Sequence, residues 1–464
     1  MPRIMADRQA DQFLVLAFFA WGLSCVHPAL GLLIQLPLLA ILIWRCDIKI
    51  IPALMILSLD KSALRGLAGS HAAFKVGITM SSANFFMILV ALYAIGLIVK
   101  GRLDYSSKIL AMLWLPSAIP AFAISLHAKS MGFGGMWSNA IMDFMVPGMY
   151  FWGVDMARTY EMGRDYFLKR MTTTLFILIV LHLILVIQIF TFTLFIFSIC
   201  LAIYYSKAIA SFPVKFQSNM AFLLSIVAVI FLRYFYLKDL MEEKDSVKLE
   251  YSSFSTVAVV VIGVLLAYFL RRNRNTMGGV IPMAMVCANL ALVSFVLVTQ
   301  SGNDYRDVDV DYQTVVERFN FKLFGDRAAV WREGWEDCKS TPYVFKDMRQ
   351  FLIDTPKGTT VKLYPHNQFL TLISRDGWWL GLFLSAFIII AQVRAFKALK
   401  WLHNDESFAT VIVPVGAAIF AVIGTTGQSV ATPGLWSNGL ACLVLPGIAH
   451  GYGQHRLRFS IKGF

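Results

Sequence analysis

The feature that most limits the fold of this chain is a succession of long apolar runs joined by short polar connections. Hydrophobic residues make up 58% of the 464 residues and charged residues 15%, and the mean hydropathy is +0.66. Soluble domains average roughly 45–50% apolar and about 25% charged residues. Runs such as Leu175–Ile189, Val257–Leu270 and Leu380–Val393 are too many to be core helices of a soluble domain. The pattern predicts an integral membrane protein.

The apolar runs predict an all-α fold, a polytopic transmembrane helical bundle of about 12–14 spans with one large, partly helical loop outside the membrane. The expected spans cover about 12–26, 29–44, 50–60, 81–99, 109–126, 135–156, 172–188, 190–205, 219–237, 254–270, 279–299, 379–393, 408–424 and 431–448. This predicts three regions: a transmembrane bundle over 1–299, a polar catalytic loop over 300–378, and C-terminal spans with a cytoplasmic tail over 379–464.

The net charge of +13 is concentrated in short connections. Cytoplasmic loops of membrane proteins carry an excess of Lys and Arg. If the N-terminus is cytoplasmic and the spans alternate, five basic segments lie inside and the polar loop outside; these segments are Lys100–Lys108, Arg158–Arg170, Arg271–Asn275, Arg394–Lys400 and His455–Lys462. Both termini are then cytoplasmic, and the charge reflects topology rather than nucleic-acid binding. The segment Asp60–Met80 departs from this rule, because it carries basic residues and the alternation places it outside. Either the topology differs there, or its cations bind an anionic group at the outer surface.

Metal and nucleotide chemistry have no sequence support. The six cysteines are scattered without a CxxC pair, and only Cys338 lies in the polar loop. P-loop, GxSxG and HExxH motifs are missing. We therefore expect no metal and no cofactor.

The polar loop has local helical signals. Apolar and polar residues from Arg327 to Trp335 recur at helical spacing, and Pro342 breaks the pattern. Phe345–Ile353 suggests a second short helix, and Asp354–Gly358 reads as a turn. Another helix is expected to start at His366 and Asn367 and to run towards the span at Leu380.

His366 and Arg327 are the predicted catalytic residues of the polar loop. Imidazole accepts a proton near neutral pH, as a general base in a glycosyl or acyl transfer does. A guanidinium suits phosphate oxygens, and Lys322 and Arg332 flank Arg327. The alternative for His366 is a surface or helix-capping histidine, and the alternative for Arg327 is a solvated network of salt bridges.

Five further residues are predicted to bind pyrophosphate or glycan: Lys322, Arg332, Asn367, Arg233 and Trp331. Asn367 supplies an amide beside His366, and Arg233 lies at the outer end of a span, where snorkelling is the alternative. Trp331, like Trp335, is expected chiefly to pack the helix onto the bundle, and sugar stacking is the minority interpretation.

The order of these residues resembles the O-antigen ligase and polymerase superfamily. The matching pattern is an Arg–x3–Trp helix (Arg327, Trp331), then Pro342, then His366-Asn367 and Gly377 before a span. The resemblance in motif covers about 325–381. The family's second arginine lies in a turn that this chain lacks, and Arg233 is the nearest candidate.

The resemblance implies an inverting, metal-independent GT-C glycosyltransferase in the bacterial inner membrane, acting at the periplasmic face in lipopolysaccharide biosynthesis. Its donor is an undecaprenyl-pyrophosphate-linked glycan and its acceptor a lipid A-core sugar hydroxyl. His366 would activate the acceptor and Arg327 would bind pyrophosphate. An O-antigen or exopolysaccharide polymerase with a glycan acceptor is the alternative, and a non-catalytic transporter or channel is the third. The transporter hypothesis predicts charges buried within spans, of which Asp155 is the main candidate.

Overall fold

The computed structural model describes residues 4–58, 74–76, 78–80, 82–130, 137–185, 327–340, 351–355, 358–362, 367–402 and 439–462. Elements are numbered within these ranges. Most of the described residues are helical, which confirms the helical class predicted from the sequence.

The N-terminal helices are α1 (Asp7–Val26) and α2 (Pro28–Arg45), which pack against each other. Pro28 at the first position of α2 has the φ that a helix start requires. After a 3₁₀ turn at Ile48–Ile50 comes α3 (Ile51–Leu57), whose seven residues are all buried. Helix α3 is too short to cross a bilayer, because a spanning helix needs about 17–25 residues.

The next helices are α4 (Ser82–Val99), α5 (Tyr105–Trp114) and α6 (Ala118–Ser130). A 3₁₀ turn at Leu115–Ser117 joins α5 to α6. Asp104 is the N-cap of α5 and accepts a hydrogen bond of 3.2 Å from the Ser107 N–H. Its carboxylate therefore fixes the direction in which α5 leaves the connection from α4.

The next helices are α7 (Trp137–Met145), α8 (Gly148–Met156) and α9 (Tyr160–Leu185), with a 3₁₀ turn at Ala157–Thr159 between the last two. Helix α8 is almost wholly buried. Its Phe151 ring stacks on Trp114 of α5, with the ring centroids 5.3 Å apart. Helix α8 is therefore the core around which the other helices are arranged.

The later elements are α10 (Arg327–Ser340), α11 (Gln368–Ala398) with a 3₁₀ turn at Leu399–Trp401, a π turn at Leu440–Val444 and α12 (Leu445–Lys462). Helix α11 breaks at Gly377, where φ is 77°. A Cβ on Gly381 would collide with Leu372 and Ile373 of the first half. The two halves of α11 therefore fold sharply back on each other.

Helix α12 packs against α8 by direct contact of the two backbones. A Cβ added to Gly447 would collide with the Tyr150 carbonyl oxygen, and one added to Gly153 would collide with the Val444 carbonyl oxygen. Small residues of this kind let helix backbones approach closely in membrane proteins.

Two short antiparallel hairpins depart from the all-α prediction. Strand β1 (Phe74–Val76) pairs with β2 (Ile78–Met80), and β3 (Phe351–Thr355) pairs with β4 (Gly358–Lys362). The helix predicted over Phe345–Ile353 is therefore wrong for its last three residues. The turn predicted from Asp354 to Gly358 is the point where β3 reverses into β4.

Two described helices are long and apolar enough to cross a membrane, Tyr105–Leu126 and Asp376–Trp401. They coincide with two of the predicted spans. In the second of them, the exposed Trp379 and Trp401 are separated by about 33 Å at the rise of an α-helix. Tryptophans at this separation fit the two interfaces of a bilayer. This places the protein in a membrane, whereas two helices do not establish the predicted total of 12–14 spans.

Four of the five predicted basic segments meet at one end of the bundle. The Arg158 side chain donates to the Arg102 carbonyl oxygen at 3.0 Å, and the Arg394 side chain donates to the Ser106 carbonyl oxygen. Arg456 pairs with Glu161 at 2.5 Å. We call this end the basic face. The fifth segment, Arg271–Asn275, lies outside the described residues.

Candidate functional site

The predicted site residues fall partly outside the described residues. His366, Arg233 and Lys322 lie outside them, and for Arg327 the structure gives the backbone position, the first residue of α10. Trp331, Arg332 and Asn367 are described. The predicted helix at Arg327 is confirmed, and the roles of the site residues stay predictions.

Helix α10 is held on the two halves of α11 by aromatic and cysteine side chains. Trp331 is 0% exposed. The Trp378 indole N–H donates to the Cys338 carbonyl oxygen at 3.0 Å, and the Trp335 and Trp378 rings meet edge to face at 6.5 Å. The Cys338 thiol lies 3.6 Å from the Leu370 carbonyl oxygen. These contacts agree with the packing role expected of the two tryptophans.

Asn367 is the N-cap of α11. Its side-chain oxygen accepts hydrogen bonds from the Phe369 N–H at 3.0 Å and the Leu370 N–H at 3.2 Å. The residue is buried. An N-cap of this kind satisfies backbone N–H groups that have no partner within the helix. The helix start predicted at His366 and Asn367 is thus confirmed, and the Asn367 oxygen is used by the backbone.

A buried polar network at the basic face was not predicted from the sequence. His450 of α12 lies between Tyr150 of α8, at 2.5 Å from its Nδ1 atom, and Ser106 of α5, at 3.0 Å from its Nε2 atom. The Ser106 hydroxyl donates to Asp104 at 2.6 Å. Because that hydroxyl proton is already engaged, Ser106 accepts from Nε2–H, and Nδ1 accepts from the Tyr150 hydroxyl. The network assigns His450 as the neutral Nε2–H tautomer.

The environment favours this neutral form. Burial lowers the pKa of His450 to about 4, the nearby Arg394 lowers it as well, and Asp104 opposes them. Burial alone would raise the pKa of the Asp104 carboxyl. Hydrogen bonds from Ser106 and Ser107 outweigh burial, so the Asp104 pKa lies below its ordinary value. At neutral pH the network contains an ionised Asp104, an uncharged His450 and the Arg394 cation.

Helix α9 begins at the basic face and is held there by contacts with α12 and α1. Asp11 of α1 accepts a hydrogen bond from the Tyr166 hydroxyl at 2.8 Å and pairs with Arg170 at 2.6 Å. Gly163 lies so close to Ile48 that a Cβ there would collide with it. Four residues of α9 at helical spacing are exposed: Met162, Asp165, Lys169 and Thr173. We call these four residues the α9 ridge.

Comparison with known families finds a match over part of the chain. The family model of the transmembrane adaptor Erv26 matches residues 159–271. The match covers about a quarter of the chain and starts at the turn that leads into α9. No curated protein and no solved structure matches the chain.

This match corrects the family prediction. The matching model describes a transmembrane adaptor family rather than the O-antigen ligase and polymerase superfamily, so that assignment is wrong. The predicted glycosyltransferase activity and the predicted role in lipopolysaccharide biosynthesis are therefore wrong as well. The same holds for the predicted substrates, the undecaprenyl-pyrophosphate-linked glycan donor and the lipid A-core or glycan acceptor. The placement in a bacterial inner membrane with a periplasmic site depended on the same resemblance.

The structure supplies a physical reason why the short motif was misleading. Trp331 is used for packing, Asn367 caps a helix, and Gly377 adopts a positive φ at a sharp break. Each of these needs alone favours the residue type found there. The motif consists of few residues, and the packing of the helix pair already requires several of them. Such a motif therefore identifies a catalytic family poorly.

Proposed function

We propose that this protein is a non-catalytic adaptor of the membrane that binds a second protein at the α9 ridge. The observation that carries the proposal is the match of residues 159–271 to the transmembrane adaptor Erv26 family. Helix α9 is the described part of that match, and it exposes a continuous ridge beside the basic face.

The chemistry of the ridge suits a protein partner in the aqueous phase. Its residues are spaced by three or four positions, so they lie on one side of the helix. Met162 supplies an adaptable apolar contact, while Asp165 and Lys169 supply charges of opposite sign. All three precede the predicted span at 172–188. The ridge therefore projects outside the hydrocarbon region, where another protein can reach it.

We further propose that the basic face lies on the cytoplasmic side, because basic residues at span ends favour that side. A polytopic bundle of about 12–14 spans and the division into 1–299, 300–378 and 379–464 are retained as part of the proposal. The break of α11 at Gly377 lies next to the last of these boundaries. Labelling of Lys169→Cys by a membrane-impermeant maleimide tests the orientation. We expect labelling in permeabilised cells alone, and labelling in intact cells would contradict the cytoplasmic placement.

Site-specific photocrosslinking tests the adaptor function. A photoreactive residue at Asp165 is expected to form a discrete protein adduct in native membranes. The same residue at Leu33, an exposed apolar position of α2, is expected to contact lipid alone. Met162→Arg should abolish the Asp165 adduct without reducing the amount of protein in the membrane.

The crosslinked partner must also depend on this protein. Deletion of the gene is expected to change the membrane distribution of the partner, and expression of the wild-type chain, but not of the Met162→Arg variant, should restore it. An unchanged distribution, or adducts of equal intensity from Asp165 and Leu33, would refute the proposal.

A transporter is a second candidate because of one buried carboxylate. Asp143 of α7 is 0% exposed and lies within the predicted span at 135–156. Ionisable residues at such positions often mark ion or proton pathways. Purified protein in sealed vesicles should then carry a proton flux that Asp143→Asn abolishes. Flux equal to that of protein-free vesicles would eliminate this candidate.

A further inference from the structure

The connection between α4 and α5 presents exposed cations at the basic face. Lys100, Arg102 and Lys108 are exposed, and among the described residues none of them pairs with a carboxylate. The adjacent Asp104 accepts hydrogen bonds from Ser106 and Ser107 instead. The positive charge of this connection is therefore not neutralised within the described structure.

The backbone that carries these cations is fixed from two sides. Arg158 donates to the Arg102 carbonyl oxygen at 3.0 Å, and Arg394 of α11 donates to the Ser106 carbonyl oxygen. Lys397 and Lys400 follow Arg394 within two turns and are also exposed. We call Lys100, Arg102, Lys108, Lys397 and Lys400 the cationic rim.

The cationic rim borders an exposed apolar surface. Val99, directly before Lys100, is 80% exposed, and Tyr105 is 79% exposed. From Tyr105 an exposed apolar stripe continues along α5 and α6 through Ile109, Met112, Leu113, Ile119, Phe122 and Leu126. This stripe follows the helix pair that is long and apolar enough to cross a membrane.

The boundary between stripe and rim marks a depth in the bilayer. Apolar side chains of such high exposure are stable where they contact lipid tails. Tyrosine and tryptophan prefer the level of the headgroups, and here Tyr105 and Trp401 lie beside the cations, with the Lys400 ammonium 4.6 Å from the Trp401 ring. The cationic rim is therefore at the height of lipid phosphates.

We propose that the cationic rim binds the headgroups of anionic phospholipids. Continuity with the apolar stripe favours a lipid over an acidic protein segment, because a lipid has both a charged headgroup for the rim and acyl chains for the stripe. Each cation near an anionic surface strengthens binding by about a factor of five. The loss of two cations should weaken binding by roughly 25-fold.

Titration of the full-length protein in neutral detergent with dioctanoyl-phosphatidylglycerol tests the proposal. We expect saturable binding, at least about tenfold weaker binding of dioctanoyl-phosphatidylcholine, and an apparent Kd that rises with NaCl for the anionic lipid alone. Lys100→Gln with Lys108→Gln should raise the Kd for the anionic lipid roughly 25-fold. The control, Arg8→Gln with Arg164→Gln, removes two charges that lie outside the cationic rim and should leave the Kd unchanged.

Four results would overturn the proposal. They are equal affinities for the two lipids, equal losses in the two double variants, inorganic phosphate binding as tightly as the lipid, and displacement of the lipid by a poly-glutamate peptide at charge-equivalent concentration. The salt dependence of the wild-type protein decides the question if the Lys100→Gln, Lys108→Gln variant does not fold. A Kd for the anionic lipid that does not change with salt contradicts binding through charge.

Discussion

Replacement of His450 by glutamine should remove a pH dependence of stability that the buried network creates. His450 accepts from the Tyr150 hydroxyl through Nδ1 and donates to Ser106 through Nε2. Protonation of Nδ1 removes the acceptor that Tyr150 uses and places a second cation beside Arg394. The folded state therefore resists protonation, and the unfolded chain does not.

The sign and size follow from the two pKa values. The pKa is 6.5 in an ordinary setting and about 4 in the folded protein. Between these values the unfolded chain binds more protons, so stability is complete above pH 6.5 and declines as the pH falls towards 4. The loss reaches about 2 kcal/mol at pH 5 and about 3 kcal/mol below pH 4. Asp104 stays ionised through this window, because its pKa is lower than the ordinary 3.8.

Denaturant unfolding in detergent micelles at pH 7.5 and at pH 5 measures this difference. The wild-type protein should lose about 2 kcal/mol more of its unfolding free energy than His450→Gln between the two pH values. His455→Gln, on the same helix but less deeply buried, serves as the control and should keep the wild-type dependence.

Two outcomes would refute the reasoning. One is a pH dependence of the same size in the wild-type and His450→Gln proteins, which would show that His450 has the same pKa in the folded and the unfolded protein. The other is a wild-type protein that becomes more stable as the pH falls, which would show a raised rather than a lowered pKa.

Three further substitutions have expected effects. Trp331→Ala leaves a large cavity and should cost about 3–5 kcal/mol of local stability, which hydrogen exchange over 327–340 would show as faster exchange. Trp335→Ala should cost less, because Trp335 is 37% exposed. Equal exchange rates in the two variants would contradict this prediction. Gly447→Ala should lower the apparent Tm because its methyl group collides with α8, whereas Gly96→Ala meets open space and should not. Asn367→Ala should lower the free energy of unfolding by about 1 kcal/mol through loss of the N-cap, whereas Asn367→Asp should keep most of the stabilisation that the cap provides. Equal free energies of unfolding for the two variants would exclude capping.

Local signals made part of the fold predictable. The helix from Arg327 to Ser340 follows from apolar spacing, and the start of α11 follows from Asn367, a residue that caps helices well. The meeting of basic segments at one face follows from charge alone, since one side of a membrane selects them. Each of these predictions uses residues that are close in sequence or share one physical preference.

Long-range pairings could not be predicted in the same way. Ser106 and His450 are 344 residues apart, and no local pattern distinguishes a histidine at the end of a predicted span from a solvent-exposed one. The hairpin at 351–362 was missed because its first strand shares an apolar stretch with a helical pattern, although its turn was recognised. The family was predicted wrongly because packing and capping already account for three of the motif residues.

The separation between Ser106 and His450 also has a consequence for biosynthesis. Helix α8 and the Asp104 turn are synthesised early, yet the histidine that joins them follows Ser106 by 344 residues. At ~5–20 residues per second the wait is roughly 20–70 seconds. During that time Tyr150 and Ser106 lack their shared partner, and a truncation before α12 would make this immature state permanent. Insertion of α12 is thus the step that completes this buried polar network.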